Sequence, residues 1–294
     1  MAKKAAGEAK IPVVEQVAEL AMKLSQRHMA EYGANTSRHD FTQRQLLTCL
    51  ILRVYLKTTY RGVLDLLASS ASLRARLGLG EKLPHFTTLQ KFSGRSQVLA
   101  IAQKLVAELG RAAVAQTPEP TAVAMDATGL ARTTVSDYFT SRRGRKFRRW
   151  VKVAVVVVAG SLLPAALAVD LQPTHDCRQA RSLLAQVAKV AQPQRLYADA
   201  GYDAEWIHEQ CREQWGVASV IPAVPRRADG TIGGKWRSQM TPEYLKQAEY
   251  NRRWTVESYF SALKRTMGSA LSARRPDQLQ AEAALKVLAY ALRR

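Results

Sequence analysis

Residues 250–264 read YNRRWTVESYFSALK. At 3.6 residues per turn, Tyr250, Arg253, Glu257 and Lys264 fall on a stripe about 60° wide. Val256, Phe260, Leu263 and Met267 occupy the neighbouring arc, the face that docks a helix on a core. One carboxylate, two cations and a phenol therefore line the edge of a packed interface. Two more acids stand in apolar settings, Asp126 at the centre of AVAMDATGL and Asp199 at the end of RLYAD. A lone carboxylate in an apolar strand is costly to bury unless something positive meets it. Three carboxylates on separate elements, converging at one sheet end, supply the hard oxygen ligands that two divalent cations need to clamp an in-line displacement at phosphorus. Taken singly, each acid has an ordinary alternative: Asp126 pairing with a buried arginine, Asp199 capping the next turn, Glu257 bridging to Arg253 or Lys264.

The charge balance narrows the partner. Lys and Arg number 44 against 24 Asp and Glu, a formal charge of +20, and the pI is near 10.2. Such an excess points to a polyanion, with nucleic acid first. Seven of the cations, Arg142, Arg143, Arg145, Lys146, Arg148, Arg149 and Lys152, crowd into SRRGRKFRRWVK among Phe147 and Trp150. Like charges at that density repel without a counter-anion, so this basic hairpin reads as a phosphate-tracking element, with a solvated turn as the alternative. Thr87, Thr88, Gln90 and Lys91 are of the right type for a recognition helix in a helical N-terminal region. Trp236, between Lys235 and Arg237, either stacks on a flipped base or packs within a basic loop. His175 and Asp176 follow a strand near the expected site and read first as a helix cap. Asp203 reads as a cap as well, and Asp170 as a further acid at the same sheet end that the chemistry does not need.

The elements that position these residues follow from periodicity. Residues 11 to 32 carry apolar positions at helical spacing, ending near Gly33. Thr42 and Gln45 make a capping pattern ahead of a dense apolar helix, with a break near Thr58–Arg61. Pro84 precedes another helix that Thr87 or Thr88 caps, residues 97 to 116 form a long one, and QTPEPT at 116–121 is the best boundary in the chain. Beyond it the period changes to that of strands. The order is three strands in a meander, a helix, a strand ending at Asp199, a helix, a fifth strand, a linker and the long helix from Tyr250. A last helix from Glu282 covers the sheet. The expected fold is α/β, a mixed five-stranded sheet with helices on both faces. The domains run 1–118, all helical, and 119–294, with 224–243 as a short insertion loop. The run Val153–Val169 is long enough for a membrane span, but Gly160, Ser161 and Pro164 make it two strands and a turn. Three scattered cysteines without paired spacing argue against a zinc site and for a reducing setting, and residues 1–16 lack the apolar block of a secretory signal.

The blocks AMDATGL and ADAGYD, with Tyr250, Arg253, Glu257 and Lys264 in the spacing Y-x2-R-x3-E-x6-K, resemble bacterial insertion-sequence transposases of the DDE type. The resemblance covers roughly residues 120 to 270. It implies a ribonuclease-H-like catalytic domain behind a helical end-binding, DNA-binding domain. It also implies Asp126, Asp199 and Glu257 as ligands of two Mg²⁺ ions, with Mn²⁺ as a substitute, and Tyr250, Arg253 and Lys264 as contacts to transposon-end DNA. Double-stranded DNA at inverted-repeat ends and target, a homodimer and a cytoplasmic, nucleoid-associated setting without a membrane come with it. The expected activity is metal-dependent strand cleavage and strand transfer. The alternatives are a two-metal nuclease of the same fold without transfer and a non-catalytic DNA-binding protein derived from a transposase. Some relatives carry a large β-rich insertion where this chain has only 224–243, so the excision route stays open.

Overall fold

The computed structural model describes residues 11–36, 38–117, 122–133, 150–172, 174–226 and 228–294. Arg142, Arg143, Arg145, Lys146, Arg148 and Arg149, and most of the 116–121 boundary, lie outside the described residues.

Six helices precede the sheet among the described residues: α1 (Val13–His28), α2 (Gln43–Tyr55), α3 (Tyr60–Ser69), α4 (Ala71–Arg76), α5 (Phe86–Ser93) and α6 (Ser96–Gln116). The capping pattern at α2 is present in full. Thr42 Oγ1 accepts from the Gln45 amide, and the Gln45 side chain accepts from the Thr42 amide, so two orphan donors are satisfied reciprocally. Helix α1 stops short of Gly33, because Met29 turns extended. Helix α5 begins earlier than expected. His85 is its cap residue, with Nδ1 2.8 Å from Thr87 Oγ1, and both threonines lie within the helix.

Strand β1 (Ala122–Arg132) is central. It runs antiparallel to β2 (Trp150–Val158), which runs antiparallel to β3 (Leu163–Asp170). On its other side it runs parallel to β4 (Arg195–Ala198), which is parallel to β5 (Ala218–Val220). The order is β3-β2-β1-β4-β5. A sixth strand, β6 (Ala270–Leu271), corrects the expected five: it pairs parallel with the end of β1, and two residues are too few to show a strand period. The apolar run through Val169 is β2 and β3, turning at Gly160 and Leu162, which take φ of 92° and 56°. Among the described residues no helix is long and apolar enough to cross a membrane.

Helices α7 (Asp176–Val187) and α8 (Glu205–Glu209), with Tyr202 and Cys211, pack on one sheet face. The other face receives α10 (Trp254–Met267), reached through a short helix α9 (Pro242–Gln247), and α11 (Pro276–Arg293). Helix α11 does more than cover the sheet. Every residue from Ala281 to Leu292 is buried, with β2 and β3 on one side and α1, α2, α6 and α10 on the others. Only Glu282 and Lys286 interrupt that apolar run, and a helix buried all round belongs inside a core rather than on it. The apolar cluster consequently runs unbroken from Val17 in α1 through Ala124 in β1 to Leu292 in α11. Where α6 crosses β3 the approach is very close: a Cβ on Gly110 would stand 2.6 Å from the Ala165 Cα.

Candidate active site

Alternation along β1 decides which way Asp126 points. Ala122 and Ala124 join the core on the α10 side, while Val123 and Met125 join the α7 side, so the period of two carries Asp126 toward α10. In the parallel register Met125 pairs with Ala198. The next position along places Asp126 beside Asp199.

Asp199 Oδ1 accepts from the Gly201 amide at 2.9 Å and caps the turn Ala200–Tyr202. Asp126 Oδ1 accepts from the Ala127 amide at 2.7 Å, and its Oδ2 lies 3.6 Å from Arg253 Nη1. The other terminal nitrogen of Arg253 pairs with Glu257 Oε1. Each ordinary alternative for the three acids is therefore realised, and all are realised at one place. The Arg253 guanidinium stands between Asp126 and Glu257 and offsets part of their charge.

The electrostatics carry the same neighbourhood. Burial pushes the Asp126 carboxyl up to about 6, against the Ala127 amide, with Asp199 and Asp176 adding repulsion and Arg253 opposing it. Burial also raises the Tyr250 phenol, and Asp199, Asp126 and Glu257 raise it further. For Arg253, burial pulls downward but Tyr250, Glu257 and Asp126 outweigh it and hold the guanidinium above its ordinary value.

Local backbone departs from the sequence reading at the helix start. Tyr250–Arg253 is a 3-10 turn entered from Glu249 at φ 56°, and α10 begins only at Trp254. The tighter turn brings Arg253 in toward β1, and Glu257 falls in the first turn of α10, where the helix dipole favours a negative charge. Lys264 sits half-buried near the other end of α10.

Asp176 belongs to this cluster, although its sequence position suggests only a capping role. His175 takes the cap position without a side-chain bond, which leaves Asp176, the first helical residue, free to turn inward. A Cβ on Gly201 would lie 2.9 Å from Asp176 Oδ2 and 3.0 Å from Asp199 Oδ1. The two carboxylates thus close on a space that only glycine leaves open. Lys152 Nζ meets Asp176 Oδ1 at 2.5 Å and the Thr174 carbonyl at 2.6 Å, so this cation of the basic segment is held at the site. Beneath them the Tyr202 hydroxyl is buried with no hydrogen-bond partner, its phenol raised by burial and then by Asp176, Asp126 and Asp199.

Carboxylate oxygens in excess around an orphaned buried hydroxyl are a donor set that fits a hard divalent cation. As arranged, no three acidic, His or Cys side chains among the described residues stand at coordination spacing. Arg253 supplies the compensating charge instead.

Residues 117–292 match the family model described as "Transposase DDE domain". The chain belongs to the transposase DDE domain family. A solved piggyBac transposase, in a synaptic complex with hairpin DNA, aligns over 95% of this chain and 71% of its own at a TM-score of 0.41 and 9% identity. No curated protein matched the chain.

Elsewhere in this DDE transposase the remaining candidates are spread out. Asp203 is no helix cap. Its side chain is buried and held by Arg237 through two bonds of 2.6 and 2.7 Å, with the Val224 amide at 2.8 Å, and so ties residues 224–243 to the sheet end. Trp236 lies between Arg212 and Lys235, at 4.9 and 4.7 Å from the ring centre, and its indole donates to Glu213. Asp170 accepts from Thr174 and Gln172 and closes its own turn. On α5, Lys91 is exposed and Thr88 lines a cavity of about 490 Å³ with Arg38 and Arg95. Trp254, which carries no signal in the sequence pattern, is 57% exposed directly after Arg253.

Proposed function

We propose that the chain is the transposase of a bacterial insertion sequence, which cleaves DNA at a transposon end and joins the freed 3′-hydroxyl to target DNA. The observation that carries this reading is the register that sets Asp126 beside Asp199, within reach of the Arg253–Glu257 pair. The sheet order and the alternation of antiparallel and parallel pairs support a ribonuclease-H-like core behind a helical end-binding region, 1–118.

Asp126, Asp199 and Glu257 would hold the metal, two Mg²⁺ ions or Mn²⁺, with Asp176 beside them. Bound there, divalent cations supply Lewis acidity at phosphorus and an acidified water or hydroxyl nucleophile. The chain's own part is positioning. Gly201 leaves room for two carboxylates, the Ala127 and Gly201 amides fix one oxygen of Asp126 and of Asp199, and buried Tyr202 closes the floor against water. Arg253 couples Asp126 to Glu257 and, with Tyr250 and Lys264, faces the phosphates of the transposon end. The basic segment Arg142–Lys152 tracks the backbone, and Thr88 and Lys91 serve end recognition, with Trp236 at the loop. Double-stranded DNA is the partner, the active form is a homodimer, and the setting is cytoplasmic and nucleoid-associated.

A labelled duplex carrying the element's terminal repeat tests the reading. Mg²⁺-dependent cleavage with a joined product is the expected result. Cleavage without joining would make the protein a two-metal nuclease, and retardation without cleavage a DNA-binding protein. Glu257→Gln should abolish cleavage while sparing DNA affinity, and an equally active variant would remove Glu257 from the chemistry.

A further inference from the structure

A cavity of about 680 Å³ opens at the far end of α10, where Met267–Ala270 meet α2, the start of α3 and α11. Five cations line it, Arg53, Lys57, Arg274, Arg275 and Lys286, against one acid, Glu282. Their partners account for only part of that charge: Arg275 is paired with Asp277 at 3.0 Å, outside the cleft lining. Glu282 is occupied by the Ser272 and Ala273 amides at 3.1 and 2.8 Å and stands 3.8 Å from Arg53. Lys286 donates to the Met267 and Gly268 carbonyls that end α10. Arg53 gives one nitrogen to Ser272 and stacks on Tyr60, yet its Nε is buried with no hydrogen-bond partner, on a side chain only 8% exposed. A buried guanidinium with an unmet donor is costly unless an acceptor arrives. Lys57 and Arg274 are exposed and complete the rim.

The floor is built and the rim is cationic, so the cleft is suited to a phosphate. Its position says whose phosphate. From Glu257 to Met267 one helix runs about 15 Å at 1.5 Å per residue, with Lys264 between. Along one DNA strand that length takes up about four or five nucleotides at 3.4 Å each.

We infer that this cleft holds a backbone phosphate of duplex DNA, a few nucleotides away from the bond presented to the acids. The assignment rests on the DNA reading proposed for those acids. It adds an anchoring point that fixes the strand's register along α10, contributed jointly by the N-terminal helices and the C-terminal loop.

The test is fluorescence anisotropy of a short labelled duplex in chelator, so that no cleavage intervenes, over salt from about 50 to 200 mM. Lys57→Ala with Arg274→Ala removes two rim charges from exposed positions, and unchanged thermal midpoints confirm folding. The slope of log affinity on log salt should become shallower by about 0.9, the contribution of the one phosphate no longer neutralised. Lys104→Ala with Lys189→Ala, exposed positions away from the cleft, removes the same charge and should leave the slope unchanged. If the two double variants behave alike, the cleft is overturned while the DNA reading stands. If wild-type protein does not bind the duplex, both fall. If inorganic phosphate protects wild-type protein but not the rim variant against heat, and the DNA slope is unaltered, the cleft takes a small anion and the DNA assignment is overturned.

Discussion

Asp126 is a carboxylate held where its charge is poorly tolerated, and that has a measurable consequence without any substrate. Its folded pKa of about 6 lies above the unfolded value of about 3.9. A raised acid contributes stability that is complete below the unfolded pKa and is lost as pH rises through the folded one. The metal-free protein should therefore lose on the order of 2–3 kcal/mol between pH 4 and pH 7 from this group. Asp126→Asn keeps an acceptor for the Ala127 amide and abolishes the ionisation. In chelator it should unfold at a higher denaturant midpoint than wild type at pH 7.5, and the gap should close at pH 4.5. Added Mg²⁺ should stabilise wild type at pH 7.5 and leave the variant nearly unmoved. Equal midpoints at pH 7.5 in chelator would mean that the carboxylate is comfortable as an anion and that nothing at the site awaits a cation.

Among the elements, the sequence is explicit where period and chemistry coincide. The strand around Asp126, the split of Val153–Val169 into β2 and β3, the Thr42–Gln45 cap and the order of β1 to β5 with α7 and α8 between them are legible from spacing, whereas β6 and the short α9 are not. What is not legible depends on neighbours distant in sequence. The 3-10 turn at Tyr250–Arg253 follows from Glu249 in the left-handed region, which no local pattern announces. Asp176 reads as a cap because the cap rule is local, whereas its inward turn depends on Gly201 and Lys152. Asp203 misleads in the same way, its partner Arg237 being supplied by the later loop. Glycine inside α6 is a signal of the opposite kind, local and informative. Gly110 costs the helix about 1 kcal/mol relative to alanine by propensity, so a packing reason is implied, and the reason is the Ala165 backbone. Gly110→Ala should accordingly destabilise the protein by about 1–3 kcal/mol through overpacking, the reverse of its effect in an isolated helix. Chemical denaturation measures it, and a stabilised variant would mean that α6 and β3 are less tightly joined.

For the whole molecule, the decisive element is α11, buried on all sides between the sheet and the N-terminal helices. The family match begins at residue 117, and a strand period begins just beyond it, so composition alone places a boundary there. The packing joins what composition divides. Leu46, Leu47, Leu50 and Ile51 in α2 and Leu105 in α6 lie in the same apolar cluster as Leu285, Leu288 and Leu292 in α11. Deleting residues 1–118 would bare that side of α11 and the surface of β3 that Gly110 meets. At about 25 cal/mol per Å² of apolar area returned to water, exposing on the order of 200–600 Å² would offset the roughly 5–15 kcal/mol by which such a domain is stable. The intact chain should then unfold in one calorimetric transition whose van't Hoff and calorimetric enthalpies agree. A fragment of residues 119–294 should be insoluble or bind ANS as a collapsed state. Two resolved transitions, or a fragment with native near-UV circular dichroism, would mean that the N-terminal helices and the sheet region are separable bodies. A single transition would tie the helices that line the basic cleft rigidly to the acids, so that a DNA strand seated in the cleft as proposed would be held in register for the acids.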